Sequence, residues 1–346
     1  MTDPRTYVRA YNAVVAYAEL VRSARDLCAL AVQVVVPRLH EAIISAGPPH
    51  SAHEAARLTS VQTGLPLVMD MRDVWSLTQR CQEGIASPLL FSLARRAERR
   101  AIDRATLVVV NTPVAASAMR QTYPEAAERI VTVMNGFDNE SLPQARYGAQ
   151  FVVAHAGTIY LDRNPASLFR AAKRVIDDLR LSPDQFALKF MGENGSSVPL
   201  TDLADAEGIG AYVQAGRPRP RAEALKFLAE AAMLVILHQD SDMAIPAKVF
   251  EYMQFDAWLL VLAERDSATE FALRDTAADV VSSRDVNEIA GVLTRRYHQY
   301  AAGVRPGRVA TDGRLSRRFQ ADILLDALER HVPPNRVRWH ACSTVG

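Results

Sequence analysis

The chain has 346 residues, of which 49% are hydrophobic and 23% are charged, so two globular domains are expected and disorder is excluded. Forty Lys and Arg against 39 Asp and Glu give a net charge of +1, so bulk charge does not indicate nucleic acid as a partner. Three cysteines without CxxC spacing indicate a reducing cytoplasm. The first residues do not resemble a signal peptide, and no apolar run is long enough to span a bilayer.

Residues 5–36 carry apolar side chains at intervals of three and four, which predicts one or two helices. Short apolar runs and helical patterns then alternate up to residue 138. Strands are predicted at EAIISAG, LPLVMDM, TLVVVNT and RIVTV, and helices at HEAARLTSVQT, SPLLFSLARRAERRAIDRA and PVAASAMRQTY. The strands are nearly continuous runs of Val, Ile and Leu, which favour a parallel sheet that is covered on both faces.

The polar stretch NESLPQARYGA, residues 139–149, predicts a linker. The alternation then restarts, with predicted strands at FVVAHA, FALKFM, AYVQAG, MLVIL, WLLVL and ADVV. We therefore expect an α/β protein with two doubly wound domains, residues 1–148 and 149–318, followed by a C-terminal helix and tail over 319–346. Ligands of such domains bind in the loops at the carboxyl ends of the strands.

The loop HAGTIYLDRNP follows the first strand of the second domain. Gly157 permits a tight turn and a close approach to a ligand, and Arg163 lies just before a predicted helix start. A helix N-terminus and a nearby arginine together suit a diphosphate. The alternative is a surface arginine beside a routine turn.

The segment IPAKVFEYM follows the strand MLVIL. Lys248 and Glu251 are three residues apart, so they share one face of the predicted helix. The carboxylate suits the two hydroxyls of a ribose, and the ammonium group suits a phosphate. A surface ion pair between the two residues is the alternative.

The stretch AEAAMLVILHQDSDMAIPAKVFEYM resembles the second domain of the retaining family 4 glycosyltransferases, in which a G…R loop and a "saKlfEYla" segment occur in this order. The resemblance implies that Gly157 and Arg163 hold the diphosphate of a nucleotide sugar and that Glu251 holds its ribose. It places five further residues on the donor side: Gly192, Gly216, Arg217, Pro218 and Lys248.

The first half resembles the same family in the segments GPPHSAHEAARL, LPLVMDMRDVW, AERRAIDRATLVVVNT and VTVMNGFD. The resemblance implies the GT-B fold, with two Rossmann-like domains facing a cleft. His50 and His53 would then contact the transferred sugar or the acceptor as catalytic residues, together with Arg163; capping or solvated histidines are the alternative. The expected acceptor-side residues are Asp70, Arg72, Asp73 and Trp75, for which shaping of the loop is the alternative.

Two departures from the family pattern stand out. Met243 occupies the donor-side position of the family's first glutamate, with Asp240 or Asp242 as candidate substitutes. The chain also opens with helices and lacks an early Gly-rich loop, so the N-terminal domain is expected to be incomplete. The exposed edge of such a sheet would need a protein partner or oligomer to cover it.

The resemblance implies transfer of a sugar, with retention, from a nucleotide diphosphate sugar to the hydroxyl of a glycan, glycolipid or small molecule, without a metal or other cofactor. A GT-B sugar-nucleotide epimerase and a non-catalytic, partner-binding subunit are the alternatives. One predicted helix carries a basic stripe. The stripe is either a solvated face or a surface that binds anionic lipid at the inner face of the membrane, and the second alternative fits a lipid-linked acceptor. Its members are Arg95, Arg96, Arg99, Arg100 and Arg104.

Overall fold

The computed structural model describes residues 4–36, 39–77, 87–138, 140–159, 164–193, 195, 198–237, 241–309 and 313–333. Its contacts divide the chain into two units, one of Met1–Met134 with Gln320–Gly346 and one of Asn135–Phe319. The division therefore precedes the predicted boundary at residue 148. The reason is that residues after 134 bind the second unit, where the Arg146 amide donates to the carbonyl of Ala229.

The first unit contains a four-stranded parallel sheet with its strands in chain order. The strands are β1 (Ile43–Gly47), β2 (Leu67–Met71), β3 (Leu107–Val110) and β4 (Ile130–Thr132). The helices are α1 (Pro4–Val34), α2 (Ser51–Thr63), α3 (Pro88–Arg104) and α4 (Pro113–Thr122). The opening segment is thus one helix, which packs against α2 and α3.

The order of the first sheet leaves β1 at an edge among the described residues. Its Ile44 side chain is 62% exposed, and the outer face of α1 carries Tyr7 and Tyr11, each about 70% exposed. The strand β3 is buried at every position, as expected for a strand covered on both faces. A partner that covers the open edge stays a prediction.

A buried carboxylate organises the loop that follows β2. Glu98 on α3 is fully buried and accepts a hydrogen bond from the Tyr123 hydroxyl at 2.8 Å. It also accepts hydrogen bonds from the Ser76 amide, at 3.3 Å, and from the Ser76 hydroxyl. Burial raises the pKa of Glu98, which the hydrogen bonds from Ser76 and Tyr123 partly oppose. The carboxylate thereby joins α3, the end of α4 and the loop after β2.

The second unit contains a six-stranded parallel sheet of order β10-β9-β8-β5-β6-β7. The strands are β5 (Phe151–Ala156), β6 (Phe186–Met191), β7 (Val213–Gly216), β8 (Met233–Ile236), β9 (Trp258–Leu262) and β10 (Asp279–Val281). From β5 the chain adds β6 and then β7 on one side, and it then returns to add β8, β9 and β10 on the other side of β5. This reversal between β5 and β8 is the topological switch point, where open parallel sheets bind ligands.

The helices described beside this sheet are α5 (Ala166–Leu179), α6 (Leu200–Ala206), α7 (Arg221–Ala229), α8 (Ala247–Tyr252), α9 (Ala268–Leu273) and α10 (Val286–Ala301). The core around β5 is aromatic, with the ring of Phe151 5.8 Å from that of Phe186 and 6.2 Å from that of Trp258. The sequence did not predict α6. It buries only Leu200 and Ala204, which is too short an apolar repeat to recognise.

The last helix, α11 (Arg317–His331), contains the boundary between the two units. Ala327 packs in one cluster with Val68 and Leu107 of the first sheet. The Gln320 side chain accepts a hydrogen bond from the Met134 amide at 2.7 Å. Parallel sheets with helices in both units confirm the predicted α/β class. Every helix in the described ranges is too short or too polar to cross a membrane.

Replacing Glu98 by alanine should destabilise the first unit by about 2–4 kcal/mol, because the buried donors of Ser76 and Tyr123 lose their acceptor. Urea unfolding can be followed by Trp75 fluorescence after the other two tryptophans, Trp258 and Trp339, are replaced by Phe. Glu98→Gln is the matched control. It keeps an acceptor oxygen and should lose less than about 1 kcal/mol. Equal losses in both variants would contradict this role.

Candidate functional site

The second unit brings three strand ends together at the switch point. The Gly157 amide, directly after β5, donates to the carbonyl of Met191 at 2.7 Å, and the Gly192 amide donates to the carbonyl of Gly216 at 3.0 Å. The hydroxyl of Tyr252 on α8 bonds both backbone groups of Ala156, at 2.7 and 2.9 Å. The helix that carries Lys248 and Glu251 is therefore fixed to the end of β5.

Glycine is required at two of these positions. Gly157 and Gly192 have φ values of +149° and +155°, which disfavour side chains. A Cβ atom on Gly192 would lie 2.2 Å from the carbonyl oxygen of Gly157, and one on Gly157 would lie 2.4 Å from the Cε atom of Lys248. At position 192 the two loops therefore meet at a distance that only glycine permits, and the Lys248 side chain lies against Gly157.

A cavity of about 400 Å³ opens over this meeting point, a size typical of small-molecule sites. Its lining includes five of the predicted donor-side residues: Gly157, Gly192, Pro218, Lys248 and Glu251. Gly216 and Arg217 line a neighbouring cavity of about 600 Å³, which shares Gly157 and Gly192 with the first. The residues that the sequence predicted from four separate segments thus lie together.

The remaining donor-side candidates have different outcomes. Arg163 and Asp240 lie outside the described residues. Met243 is not among the described residues that line either cavity. The other candidate substitute, Asp242, lines a small space between β8 and β9, and its carbonyl accepts a hydrogen bond from the Ala268 amide at 2.7 Å.

The cavity lining also includes Arg221, the first residue of α7, which was not among the predicted residues. Its guanidinium group donates to the Glu251 carboxylate at 2.9 Å and to the Glu140 carboxylate at 2.5 Å. The available signal was the arginine-rich stretch RPRPR, which directly follows a strand at the ligand-binding edge. Glu251 is thus paired with a residue on another helix.

The first unit brings His50, His53 and Trp75 together. The imidazole of His50 stacks on the Trp75 indole, with ring centroids 5.0 Å apart and planes 12° apart, and lies 6.0 Å from the His53 ring. His50 occupies the N-cap position of α2, but its side chain makes no capping hydrogen bond. The capping alternative for His50 is therefore wrong.

His53 is fully buried. Its Nδ1 atom lies 2.9 Å from the Ser45 hydroxyl, and its ring packs so closely on Gly47 that a Cβ atom there would be 2.5 Å from Nε2. Within the described part of the chain, His53 Nε2 and His50 Nδ1 are buried without a hydrogen-bond partner. The packing of His53 matches a structural histidine, whereas His50 is the partly accessible member of the pair.

The other acceptor-side candidates follow β2. Burial raises the pKa of Asp70, and the nearby Arg72 charge opposes this shift. The Arg72 backbone bridges two strands, since its amide donates to the Gly47 carbonyl at 3.1 Å and its carbonyl accepts from Asn111. The Arg72 and Asp73 side chains are exposed, whereas Trp75 is buried. This loop therefore presents charged side chains above a buried aromatic base.

No group of three or more His, Cys, Asp or Glu side chains that could share a metal ion occurs among the residues described. The expectation that the protein needs no metal stays a prediction.

Burial lowers the pKa of both His50 and His53 to about 4, and the His50 charge contributes to the shift at His53. The unfolded chain then binds more protons than the folded chain between pH 6.5 and about 4, so the contribution of these histidines to stability is lost as pH falls through that window. Asp70 and Glu98 have raised pKa values and act in the opposite direction, so the test must compare variants.

The loss in unfolding free energy between pH 7 and pH 4.5 should be smaller in His53→Asn than in the wild type, by on the order of 2 kcal/mol. Asparagine retains a polar group near Ser45. His40→Asn is the control, because His40 is exposed and lies outside this cluster. The same loss in the wild type and in His53→Asn would contradict the prediction.

Comparison with known proteins gives a family-model match over residues 4–136 and a fold for most of the chain. Residues 4–136 match the model of the glycosyl transferase 4-like domain. No curated protein matches the sequence. TarM resembles the structure with a TM-score of 0.59 and 13% identity, over 87% of this chain and 58% of TarM.

Two further solved structures have the same fold. The UDP-forming α,α-trehalose-phosphate synthase from Burkholderia xenovorans has a TM-score of 0.65 and 10% identity, over 92% of this chain and 79% of its own. The lipopolysaccharide outer core galactosyltransferase WaaB has a TM-score of 0.61 and 11% identity, over 91% of this chain and 81% of its own. The predicted resemblance is thus confirmed: residues 4–136 match the model of the glycosyl transferase 4-like domain, and the chain has the GT-B fold.

Proposed function

We propose that the protein transfers a sugar from a nucleoside diphosphate sugar to an acceptor hydroxyl, with retention at the anomeric carbon. The observation that carries the proposal is the single cavity at the switch point that contains Gly157, Lys248 and Glu251. A structural neighbour, a variant of S. aureus TarM, was crystallised with UDP, α-GlcNAc-glycerol and Fondaparinux, and has a TM-score of 0.56. UDP is therefore the first nucleotide to test.

In this proposal, the Glu251 carboxylate accepts hydrogen bonds from the ribose hydroxyls. The diphosphate lies over the loop of Gly157, where the Lys248 side chain is in contact. The bond between the anomeric carbon and the phosphate oxygen breaks, and the acceptor oxygen bonds that carbon on the same face. The acceptor proton passes to the leaving phosphate. The ammonium group of Lys248 stabilises the negative charge that develops there, and Arg163 would add a second cation.

The first unit is proposed to bind the acceptor through the loop after β2. The basic stripe gives little support for a lipid surface, because three of its arginines have partners within this unit. Arg99 pairs with Glu125 at 2.7 Å, Arg100 bonds the Tyr17 hydroxyl at 3.2 Å, and Arg104 bonds the Ser60 carbonyl at 3.1 Å. A lipid-linked acceptor and contact with the membrane surface stay predictions.

Calorimetry with UDP, ADP and GDP tests the binding step, and hydrolysis of the matching nucleotide sugars tests the chemistry. The proposal predicts micromolar to millimolar affinity for at least one nucleotide, together with slow release of sugar in the absence of an acceptor. Absence of binding to all three would overturn it. Binding without transfer or hydrolysis would favour the non-catalytic subunit, and an altered sugar nucleotide formed without an acceptor would favour the epimerase.

Glu251→Gln should weaken binding of the nucleoside diphosphate about ten- to a hundredfold, because a carboxylate is replaced by a neutral group that accepts weaker hydrogen bonds. Calorimetry provides the measurement. The matched control is Glu223→Gln, a change on α7 outside the described cavity lining, which should leave the affinity within about twofold. Equal effects of the two substitutions would remove Glu251 from the site.

Lys248→Met should reduce the preference for UDP over uridine about tenfold or more. The substitution removes the hydrogen bonds from the ammonium group to the diphosphate, which uridine does not have. Methionine keeps most of the aliphatic stem that packs on Gly157. Lys226→Met, on the exposed face of α7 outside the described lining, is the control. An unchanged preference in Lys248→Met would show that the diphosphate binds elsewhere.

A further inference from the structure

We infer that Arg221 is a positioning residue for the nucleotide: it holds the Glu251 carboxylate in the orientation that accepts the ribose hydroxyls. The inference rests on the proposed function, since it assigns a role to the neighbour of the residue that is proposed to bind ribose. Nothing in the sequence resemblance or in the structural neighbours assigns this arginine.

Arg221, Glu251 and Glu140 come from three segments and form a cluster of ion pairs, which we call the clasp. Arg221 begins α7, Glu251 lies on α8, and Glu140 lies in the segment that precedes β5. One terminal nitrogen of the guanidinium group, Nη1, donates to Glu251 Oε1 at 2.9 Å, while the other, Nη2, donates to Glu140 Oε2 at 2.5 Å. A planar guanidinium group that is held at both nitrogens has little freedom to rotate. Glu140 therefore fixes Arg221, and Arg221 fixes Glu251.

The clasp leaves part of the Glu251 carboxylate for a ligand. Oε1 accepts the bond from Arg221, and no hydrogen bond to Oε2 occurs within the described residues. The side chain is 26% exposed and lines the cavity. A carboxylate that is already oriented loses less conformational entropy when a ribose binds, which favours binding by about three- to tenfold.

The electrostatic contribution acts in the same direction. Glu251 shares its cavity with the proposed diphosphate site, so an unpaired carboxylate would repel the ligand. The positive charge of Arg221 offsets this repulsion. Arg221 is 61% exposed, so solvent screens the pair and its orienting effect exceeds its direct attraction.

Calorimetry with ribose and 2′-deoxyribose nucleotides separates positioning from direct contact. The probes are UDP, ADP and GDP with dUDP, dADP and dGDP, and the pair whose ribose form binds most tightly is used. Arg221→Ala should weaken binding of the ribose form about three- to tenfold and leave that of the deoxy form within about twofold. Glu140→Gln should produce the same change at a smaller amplitude.

Arg219→Ala is the matched control. Arg219 lines the same cavity, is also 61% exposed and pairs with the carboxylate of Glu223, four residues further along the chain, at 3.9 Å. It does not hold Glu251, so its removal should change the affinities for ribose and deoxyribose nucleotides by the same factor. Circular dichroism spectra of all variants check that the fold is retained.

Four results would overturn the inference. Equal losses for ribose and deoxyribose forms in Arg221→Ala would show direct contact with the phosphates or the base, and tighter binding would show that Arg221 blocks Glu251. If Glu251→Gln loses the ribose preference and Arg221→Ala keeps it, the positioning role fails while the proposed function stands. If the wild type binds none of the six nucleotides, both fail together.

Discussion

The close contact between the loops of Gly157 and Gly192 is the constraint on which the candidate site depends. A side chain at Gly192 would meet the Gly157 carbonyl at 2.2 Å, so a larger residue would push the ends of β5 and β6 apart. The hydroxyl of Tyr252 then fixes α8 to the end of β5. Because the first contact joins two backbone segments and the second ties the Tyr252 side chain to the backbone of Ala156, the cavity is shaped before any ligand arrives, and Lys248 and Glu251 are placed on a rigid base.

In the first unit, the loop after β2 is held by buried polar side chains and not by close contacts between backbone segments. Glu98 holds the Ser76 backbone and hydroxyl, and the adjacent Trp75 carries the stacked ring of His50. The shape of the loop after β2 thus depends on a carboxylate 22 residues further along the chain. A polar core of this kind costs desolvation energy, but it fixes the loop, since the Ser76 amide, the Ser76 hydroxyl and the Tyr123 hydroxyl all donate to one carboxylate.

Much of the fold and about half of the site could be predicted from the sequence, because both depend on local patterns. Buried runs such as those of β3 and β8 identify the parallel strands, and strand order places Gly157 and Lys248 at one edge. The clasp could not be predicted in this way. Arg221 lies 30 residues from Glu251 and 81 from Glu140, and no periodicity links residues so far apart. His53 was equally ambiguous, because sequence shows a histidine near a loop but not whether its ring is buried.

The charges of the cavity limit which ligands it can bind. A carboxylate and a diphosphate repel each other, so a site that binds a nucleotide through Glu251 must compensate that charge within a few ångströms. Arg221 compensates the charge of Glu251, while Lys248 lies against the Gly157 loop. An uncharged sugar would leave Lys248 without an anionic ligand, and free phosphate would leave Glu251 without a hydroxyl donor. A ligand that joins a diol to a diphosphate satisfies both groups at once, and a nucleoside diphosphate has this chemistry.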